Sequence, residues 1–191
     1  MYNKLERILP RVQKPARYVG GEYNAVMKDK ASVDVRFAFC FPDTYEIGMS
    51  NLGFRILYGV MNNMPGVWCE RAFAPWPDME EEMRKAAIPL YALESGDPVG
   101  DFDIIGFSVG YEMAYTAMLN MLDLSGLPLR SEQRTSLAPL VVAGGTAMYN
   151  AEPVADFIDM ALIGEGEELV PAVIGLYRKA KAEQWGKQAF L

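Results

Sequence analysis

The chain has 191 residues, of which 51% are hydrophobic and 23% charged, and its formal net charge is −7 at pH 7. This length supports one well-packed core and is marginal for two. The acidic balance argues against a nucleic-acid-binding surface, which normally carries a basic stripe. The sequence has no apolar run near the ~20 residues of a membrane helix and no signal-peptide core. We therefore expect a cytoplasmic protein with neither nucleic acid nor membrane as a partner.

The sequence contains no histidine and only two cysteines, Cys40 and Cys69. Ser-His-Asp and Cys-His nucleophile systems are excluded, as are His-ligated zinc and haem sites. Two distant cysteines cannot hold a four-thiolate iron–sulfur cluster within one copy of the chain. Cys40 lies in an apolar run and is expected to be a small core residue.

In chain order, residues 1–31 are predicted to form an arm, with a short helix at 3–9 that ends before Pro10. Its apolar residues indicate that it packs either on the domain itself or on a neighbouring one. From residue 32 onward, strands and helices alternate. Short apolar, β-branched runs predict strands at 33–41, 67–71, 90–94, 102–108, 140–143 and 160–163. Helical periodicity and end signals predict helices at 52–62, 79–87, 115–124 and 168–184.

This alternation predicts an α/β fold of the flavodoxin-like, doubly wound type, with a mainly parallel sheet and helices on both faces. No repeat or internal linker is found, so residues 32–191 are predicted to form one domain. Such sheets bind ligands beyond the carboxyl ends of their strands, where the strand order reverses. The loops at 42–51, 108–114, 144–150 and 164–167 are therefore the candidates for a site.

Three of these loops carry short motifs in a suggestive order. They read Asp43-x-Tyr45-x-x-Gly48, Ser108-Val109-Gly110 and Gly144-Gly145-Thr146. The frame resembles cobalamin-binding domains of the methionine synthase and methylmalonyl-CoA mutase type, which carry Asp-x-His-x-x-Gly, a Ser-x-Leu element and a Gly-Gly pair. Here tyrosine stands where that family has histidine, and glycine where it has leucine.

Residues 139–168 (PLVVAGGTAMYNAEPVADFIDMALIGEGEE) carry a more specific likeness. A strand, Gly-Gly, a Pro-containing helix start, a second strand and Gly-Glu-Gly-Glu resemble the N-terminal domain of cobalamin-type radical S-adenosylmethionine (SAM) proteins, in an uncharacterised subgroup. In that family a CxxxCxxC segment follows in a second domain. The resemblance implies that this chain is the front of a longer protein. Its partner would be its own C-terminal radical SAM barrel, which would carry the 4Fe-4S cluster and S-adenosylmethionine.

The resemblance also implies a set of cobalamin-binding residues, each with a simpler structural alternative. Two glycines without a Cβ would let a nucleotide tail approach the backbone, or would merely form a tight turn. The serine would hydrogen-bond that tail or cap the next helix. Residues 164–168 would line the far side of the crevice or simply begin a helix with acidic residues. The implied set is Asp43, Tyr45, Gly48, Ser108, Gly110, Gly144, Gly145, Thr146, Gly164 and Glu165.

Tyr45 stands at the position from which histidine coordinates cobalt in the classical domains. A phenol with an ordinary pKa near 10 is neutral at pH 7 and substitutes poorly for imidazole. Either cobalamin binds with no protein histidine beneath cobalt, or the crevice holds something else or nothing.

The leading hypothesis is a cofactor-binding or accessory domain of a cobalamin-type radical SAM enzyme, not catalytic alone. It would hold cobalamin over the barrel for methyl transfer or radical rearrangement. The alternative is a non-catalytic docking or substrate-recognition module with an empty crevice. If Tyr45, Tyr111 and Met113 fill the space beyond Gly144-Gly145, a corrin ring cannot enter. A flavin or nucleotide binder is disfavoured, because residues 42–46 are acidic and bulky where a phosphate-cradling loop would lie.

Overall fold

The computed structural model of the chain describes residues 2–191. Five strands form its sheet: β1 Val35–Phe41, β2 Val67–Phe73, β3 Ile104–Ser108, β4 Leu140–Gly144 and β5 Met160–Leu162. They lie in the order β2-β1-β3-β4-β5, and every neighbouring pair is parallel. This is the strand order of flavodoxin-like proteins. The predicted α/β, doubly wound fold is confirmed.

Helices cover both faces of the sheet. They are α1 Tyr2–Ile8, α2 Tyr45–Ser50, α3 Leu52–Asn62, α4 Pro77–Ala86, α5 Tyr115–Leu124, α6 Gly166–Ala182 and α7 Lys187–Phe190. On one face α3 packs against α6. On the other, α4 contacts α1 and is joined to α5 by an ion pair between Arg84 and Asp123 at 2.8 Å. No helix within residues 2–191 is long and apolar enough to cross a membrane.

The central strand β1 is buried because helices cover the side chains on both of its faces. Phe39 stacks on Phe54 of α3, with ring centroids 4.2 Å apart, and this contact fixes α3 over one face. Ala38 and Cys40 are fully buried on the other face. Burial raises the pKa of the Cys40 thiol, which agrees with its predicted place in the core.

The strand β2 lies at the edge of the sheet, yet all of its residues are buried. The Asn62 side chain donates to the Cys69 carbonyl at 3.0 Å and accepts the Cys69 N–H at 3.1 Å. Lys28 donates to the Val67 carbonyl at 2.5 Å. These side chains occupy places that a further strand would take. We call this side of β2 the sealed edge.

The arm packs on the domain itself. Its backbone crosses beside β2, where the Trp68 indole donates to the Val26 carbonyl at 2.9 Å and the Tyr58 hydroxyl accepts the Val26 N–H at 2.7 Å. Its apolar side chains are buried in the same core as the sheet. They are Leu5, Ile8, Val12 and Tyr18.

The prediction of a strand at 90–94 is wrong. Tyr91 pairs with Pro98 in an isolated antiparallel bridge, and the segment does not join the sheet. The Leu90 N–H bonds instead to the Leu124 carbonyl at the end of α5, at 2.8 Å. In the sequence, a loop segment with buried apolar residues therefore resembles a buried strand.

Most other boundaries differ from the predictions by a few residues. The helix start predicted after Gly144-Gly145 is instead two 3-10 segments, Thr146–Asn150 and Glu152–Phe157. Pro153 lies in the first turn of the second segment, where a missing N–H is tolerated. The connection from β4 to β5 is consequently short and irregular.

Candidate functional site

A groove opens at the carboxyl ends of the strands, beside the switch point between β1 and β3. The sheet forms its floor, and the first turns of α3 and α6 form its walls. Its volume is about 200 Å³, whereas pockets that enclose a drug-sized ligand usually have ~300–1,000 Å³. The groove therefore suits one ring system of a larger ligand. Its lining comprises Phe37, Phe39, Asn51, Gly53, Leu57, Gly106, Phe107, Ser108, Val142, Gly144, Gly145, Leu162, Gly164, Gly166 and Val170.

The width of the groove results from missing side chains. A Cβ built on Gly144 would meet only Leu162, at 3.6 Å, and a Cβ on Gly53 would meet only Asn51, at 3.5 Å. Both distances are ordinary van der Waals contacts, so neither glycine is required by the local packing. A larger residue at either position would fill the groove.

Gly145 has a different role. Its φ is +106°, and a Cβ would collide with the carbonyl oxygen of Val109. The Val109 N–H donates to the Gly144 carbonyl at 2.8 Å, and the Thr146 hydroxyl donates to the Gly110 carbonyl at 2.6 Å. Gly145 thus permits the close approach of the loops after β3 and β4. The tight-turn interpretation holds for this glycine, and Thr146 and Gly110 contribute to the same junction.

Ser108 lies at the mouth of the groove, at the end of β3. Within residues 2–191 its hydroxyl has no protein hydrogen-bond partner. It caps no helix, since α5 is preceded by Ala114 and the intervening 3-10 turn by Tyr111. Its hydroxyl is therefore free to bind a ligand.

The segment at 164–168 both borders the groove and begins α6. Gly164 and Gly166 line the groove, while Glu167 and Glu168 form the acidic first turn of α6. Glu165 occupies the N-cap position without a side-chain capping bond and is exposed beside the groove.

The first motif, Asp43-x-Tyr45-x-x-Gly48, lies outside the groove. Asp43 accepts a hydrogen bond from the Tyr111 hydroxyl at 3.1 Å, and this bond raises the pKa of Tyr111. Gly48 is buried in α2, where a Cβ would collide with the ring of Phe73. Asp43 and Gly48 thus have structural explanations, and their part in binding stays a prediction.

Tyr45 also points away from the groove. Its ring packs edge-on against Phe73, with centroids 5.4 Å apart. Burial, with a hydrogen bond to Glu22, raises the pKa of Tyr45 above its ordinary value. A phenolate is therefore even less available here than in water. Tyr45, Tyr111 and Met113 are absent from the groove lining, and Met113 is 84% exposed.

The floor of the groove was not anticipated from the sequence. Phe37, Phe39 and Val142 have the pattern of core residues, which gives no sign that one side of them borders a cavity. Gly106 is the exception, because a glycine inside a strand often marks a close approach. The ring of Phe37 lies where a Cβ of Gly106 would be.

The lining of the groove is mostly apolar. Asn51 and Ser108 are the only polar side chains in the described lining, and none of the lining residues is ionisable. The described part of the chain contains no cluster of three or more side chains able to hold a metal ion. The groove thus presents an apolar, uncharged surface.

Fold and site together define a flavodoxin-like α/β domain with a ligand groove at the switch point. The profile of the family described as "Radical SAM proteins, N-terminal" matches residues 53–191. The chain therefore belongs to this family of N-terminal regions of radical SAM proteins. No curated protein and no solved structure matches the chain. The radical SAM part of the predicted resemblance is confirmed, and the cobalamin-binding type stays a prediction.

Proposed function

We propose that this chain is the cobalamin-binding accessory domain of a radical SAM enzyme, and that the groove receives the nucleotide tail of the cofactor. In this proposal the corrin ring lies outside the groove, against the loops at the carboxyl ends of the strands. The partner is the radical SAM barrel of the same protein, which carries the 4Fe-4S cluster and S-adenosylmethionine. When bound, cobalamin supplies the cobalt chemistry for methyl transfer or radical rearrangement.

The observation that carries the proposal is the space left by two glycines of the groove lining, Gly144 of β4 and Gly53 of α3. Neither glycine is demanded by its own surroundings, and both keep open a volume that suits a single base. The hydroxyl of Ser108 at the mouth is a free partner for the ribose or phosphate of the tail. The residues thus fit the tail of cobalamin, while the corrin requires the surface above them.

Cobalt receives no imidazole from this chain, because the chain has none. Tyr45 is turned away from the groove, and its raised pKa disfavours a phenolate ligand. We therefore propose that cobalamin would bind here without a histidine ligand from this chain.

The docking-module alternative has a crevice that holds no cofactor, and side chains filling that crevice would favour it by excluding a corrin ring. Tyr45, Tyr111 and Met113 leave the groove open, which favours the cofactor proposal. Exposed apolar side chains do lie in the segments that follow β1, β3, β4 and β5. We propose that the radical SAM barrel covers them. They are Ile47, Tyr111, Met113, Tyr149 and Ile163.

The test is a titration of the chain with hydroxocobalamin, followed by its visible spectrum. We expect micromolar binding, and Gly144→Leu should weaken it at least tenfold by filling the groove. Gly53→Leu should do the same from the first turn of α3. Gly175→Leu is the matched control, because Gly175 is exposed on α6 with open space around it. Circular dichroism confirms that each variant is folded.

Two further readouts locate the cofactor. The electron paramagnetic resonance spectrum of bound cob(II)alamin should lack nitrogen splitting from an axial ligand. Cobinamide, which has no nucleotide tail, should bind more weakly than cobalamin. If no cobalamin is retained at micromolar protein, or if Gly144→Leu and Gly175→Leu bind equally well, the proposal is wrong.

A further inference from the structure

The two ends of the groove differ in chemistry. At the mouth, Ser108 and Gly144 are paired neighbours at the ends of β3 and β4. The other polar residue of the lining, Asn51, caps the first turn of α3. In β3 and β4, two residues earlier on the same face, Gly106 pairs with Val142. That step moves about 7 Å along the strands. Polar groups are thus confined to the mouth, and the deep end is apolar.

The deep end offers nothing to which a polar atom can bond. Phe37, Phe39 and Val142 surround it, all of them at most 4% exposed. The backbone of β3 is held between β1 and β4 on both sides, so its N–H and C=O groups are already used. A polar atom that enters this end loses its water without gaining a partner.

We infer that the groove selects cobalamins by their lower base and prefers dimethylbenzimidazole to adenine. This inference rests on the proposed function and specifies the ligand of the same site. The far edge of dimethylbenzimidazole carries two methyl groups, which match the apolar deep end. The corresponding edge of adenine carries ring nitrogens and an amino group, which would be buried unpaired. An unsatisfied buried polar group weakens binding by roughly tenfold or more.

The aromatic floor adds to this preference. Phe37 and Phe39 meet edge to face with centroids 6.0 Å apart, and Phe39 is in turn stacked on Phe54. Both rings are therefore fixed before a ligand arrives. A rigid aromatic surface favours an apolar base and cannot rearrange to provide a hydrogen-bond partner.

The experiment compares three corrinoids on the full chain: cobalamin, its adenine-containing analogue and cobinamide. All are used in their dicyano forms, in a solution with free cyanide. Cyanide then occupies both axial positions, so the base is equally detached from cobalt in both cobamides. Affinities are measured by calorimetric titration. We expect cobalamin to bind at least tenfold more tightly than the adenine analogue, and cobinamide to bind most weakly.

Val142→Thr tests the cause of the selectivity, because it adds a hydroxyl at the deep end with little change in volume. It should lower the ratio of the two cobamide affinities at least threefold. Val141→Thr is the matched control, since Val141 is equally buried on the next position of β4 and faces the opposite side of the sheet. That control should leave the ratio unchanged.

The outcomes separate this inference from the proposed function. Equal affinity for both cobamides, each above that for cobinamide, would overturn base selection and leave tail binding in place. If Val142→Thr and Val141→Thr changed the ratio of the two cobamide affinities equally, the apolar deep end would not be the cause of the selectivity. Equal binding of all three corrinoids, or binding of none, would overturn the proposed function and the selectivity together.

Discussion

At the scale of single residues, the adjacent glycines 144 and 145 have separate tasks. Gly144 has an ordinary backbone conformation and leaves space for a ligand. Gly145 has a positive φ and lies against the backbone of the loop after β3. Gly144 therefore keeps the groove open, and Gly145 allows the turn that the fold requires.

Alanine substitutions should separate these tasks. Gly145→Ala should lower the free energy of unfolding by about 1–3 kcal/mol, because alanine is strained at φ +106° and its methyl collides with Val109. Gly144→Ala should change stability by less than about 1 kcal/mol. Urea unfolding of both variants measures the difference. Equal losses would show that Gly144 is also needed for the turn.

The candidate site was predicted in part from these residues. Ser108, Gly144, Gly145 and Gly164 do line one groove, because strand ends in a parallel sheet meet at one edge. The first motif predicts less well, since Tyr45 and its neighbours belong to a helix turned toward β2. The direction of a loop side chain depends on tertiary packing, and no short motif specifies it.

At the scale of elements, α3 does more than cover the sheet. Its last residue, Asn62, is buried and holds the backbone of Cys69 from outside, as an additional strand would. The amide side chain has the same donor and acceptor as a peptide group. A single residue thereby satisfies the middle of an edge strand.

Asn62→Ala should cost about 2–4 kcal/mol of unfolding free energy, because it leaves the buried N–H and C=O of Cys69 without partners. Asn63→Ala is the control: Asn63 is exposed and follows Asn62 directly, and its loss should cost less than about 0.5 kcal/mol. Thermal or urea unfolding gives both values. Similar costs for the two variants would contradict a role for Asn62 at the sealed edge.

Much of the fold was predictable at this scale. Five strands and the four longest helices follow from hydrophobic pattern and from capping and turn residues, such as Asn51 before α3. The segment at 90–94 was not predictable, since its apolar residues are buried under a loop. The docking of the arm was also open, because apolar residues do not indicate which surface they cover.

At the scale of the whole molecule, Asp159 joins segments that are far apart in the chain. Its carboxylate is buried and contacts Lys187 of α7 at 2.5 Å and Arg134 at 3.0 Å. It also accepts the Val141 N–H of β4 at 2.8 Å. The C-terminal helix is thus held to the sheet through one buried charge.

Asp159→Asn should lower the free energy of unfolding by about 3–5 kcal/mol, because it leaves two buried cations without a counter-charge. Asp156→Asn is the matched control, since Asp156 pairs with Arg130 on the surface and should contribute less than about 1 kcal/mol. Urea titrations at neutral pH compare the two. A small effect at Asp159 would mean that apolar contacts, rather than this charge, hold the C-terminal helix against the sheet.

The sealed edge of β2 also determines how this domain can associate with other chains. A sheet whose outermost strand is blocked on one side can be lengthened in one direction only. Strand exchange, cross-domain pairing and amyloid-like stacking would all have to begin at β5. That strand has three residues, so a foreign strand could pair with it over a very short length. The domain is therefore protected against lateral polymerisation at both edges of the sheet. Capping side chains block β2, and β5 is too short to pair extensively.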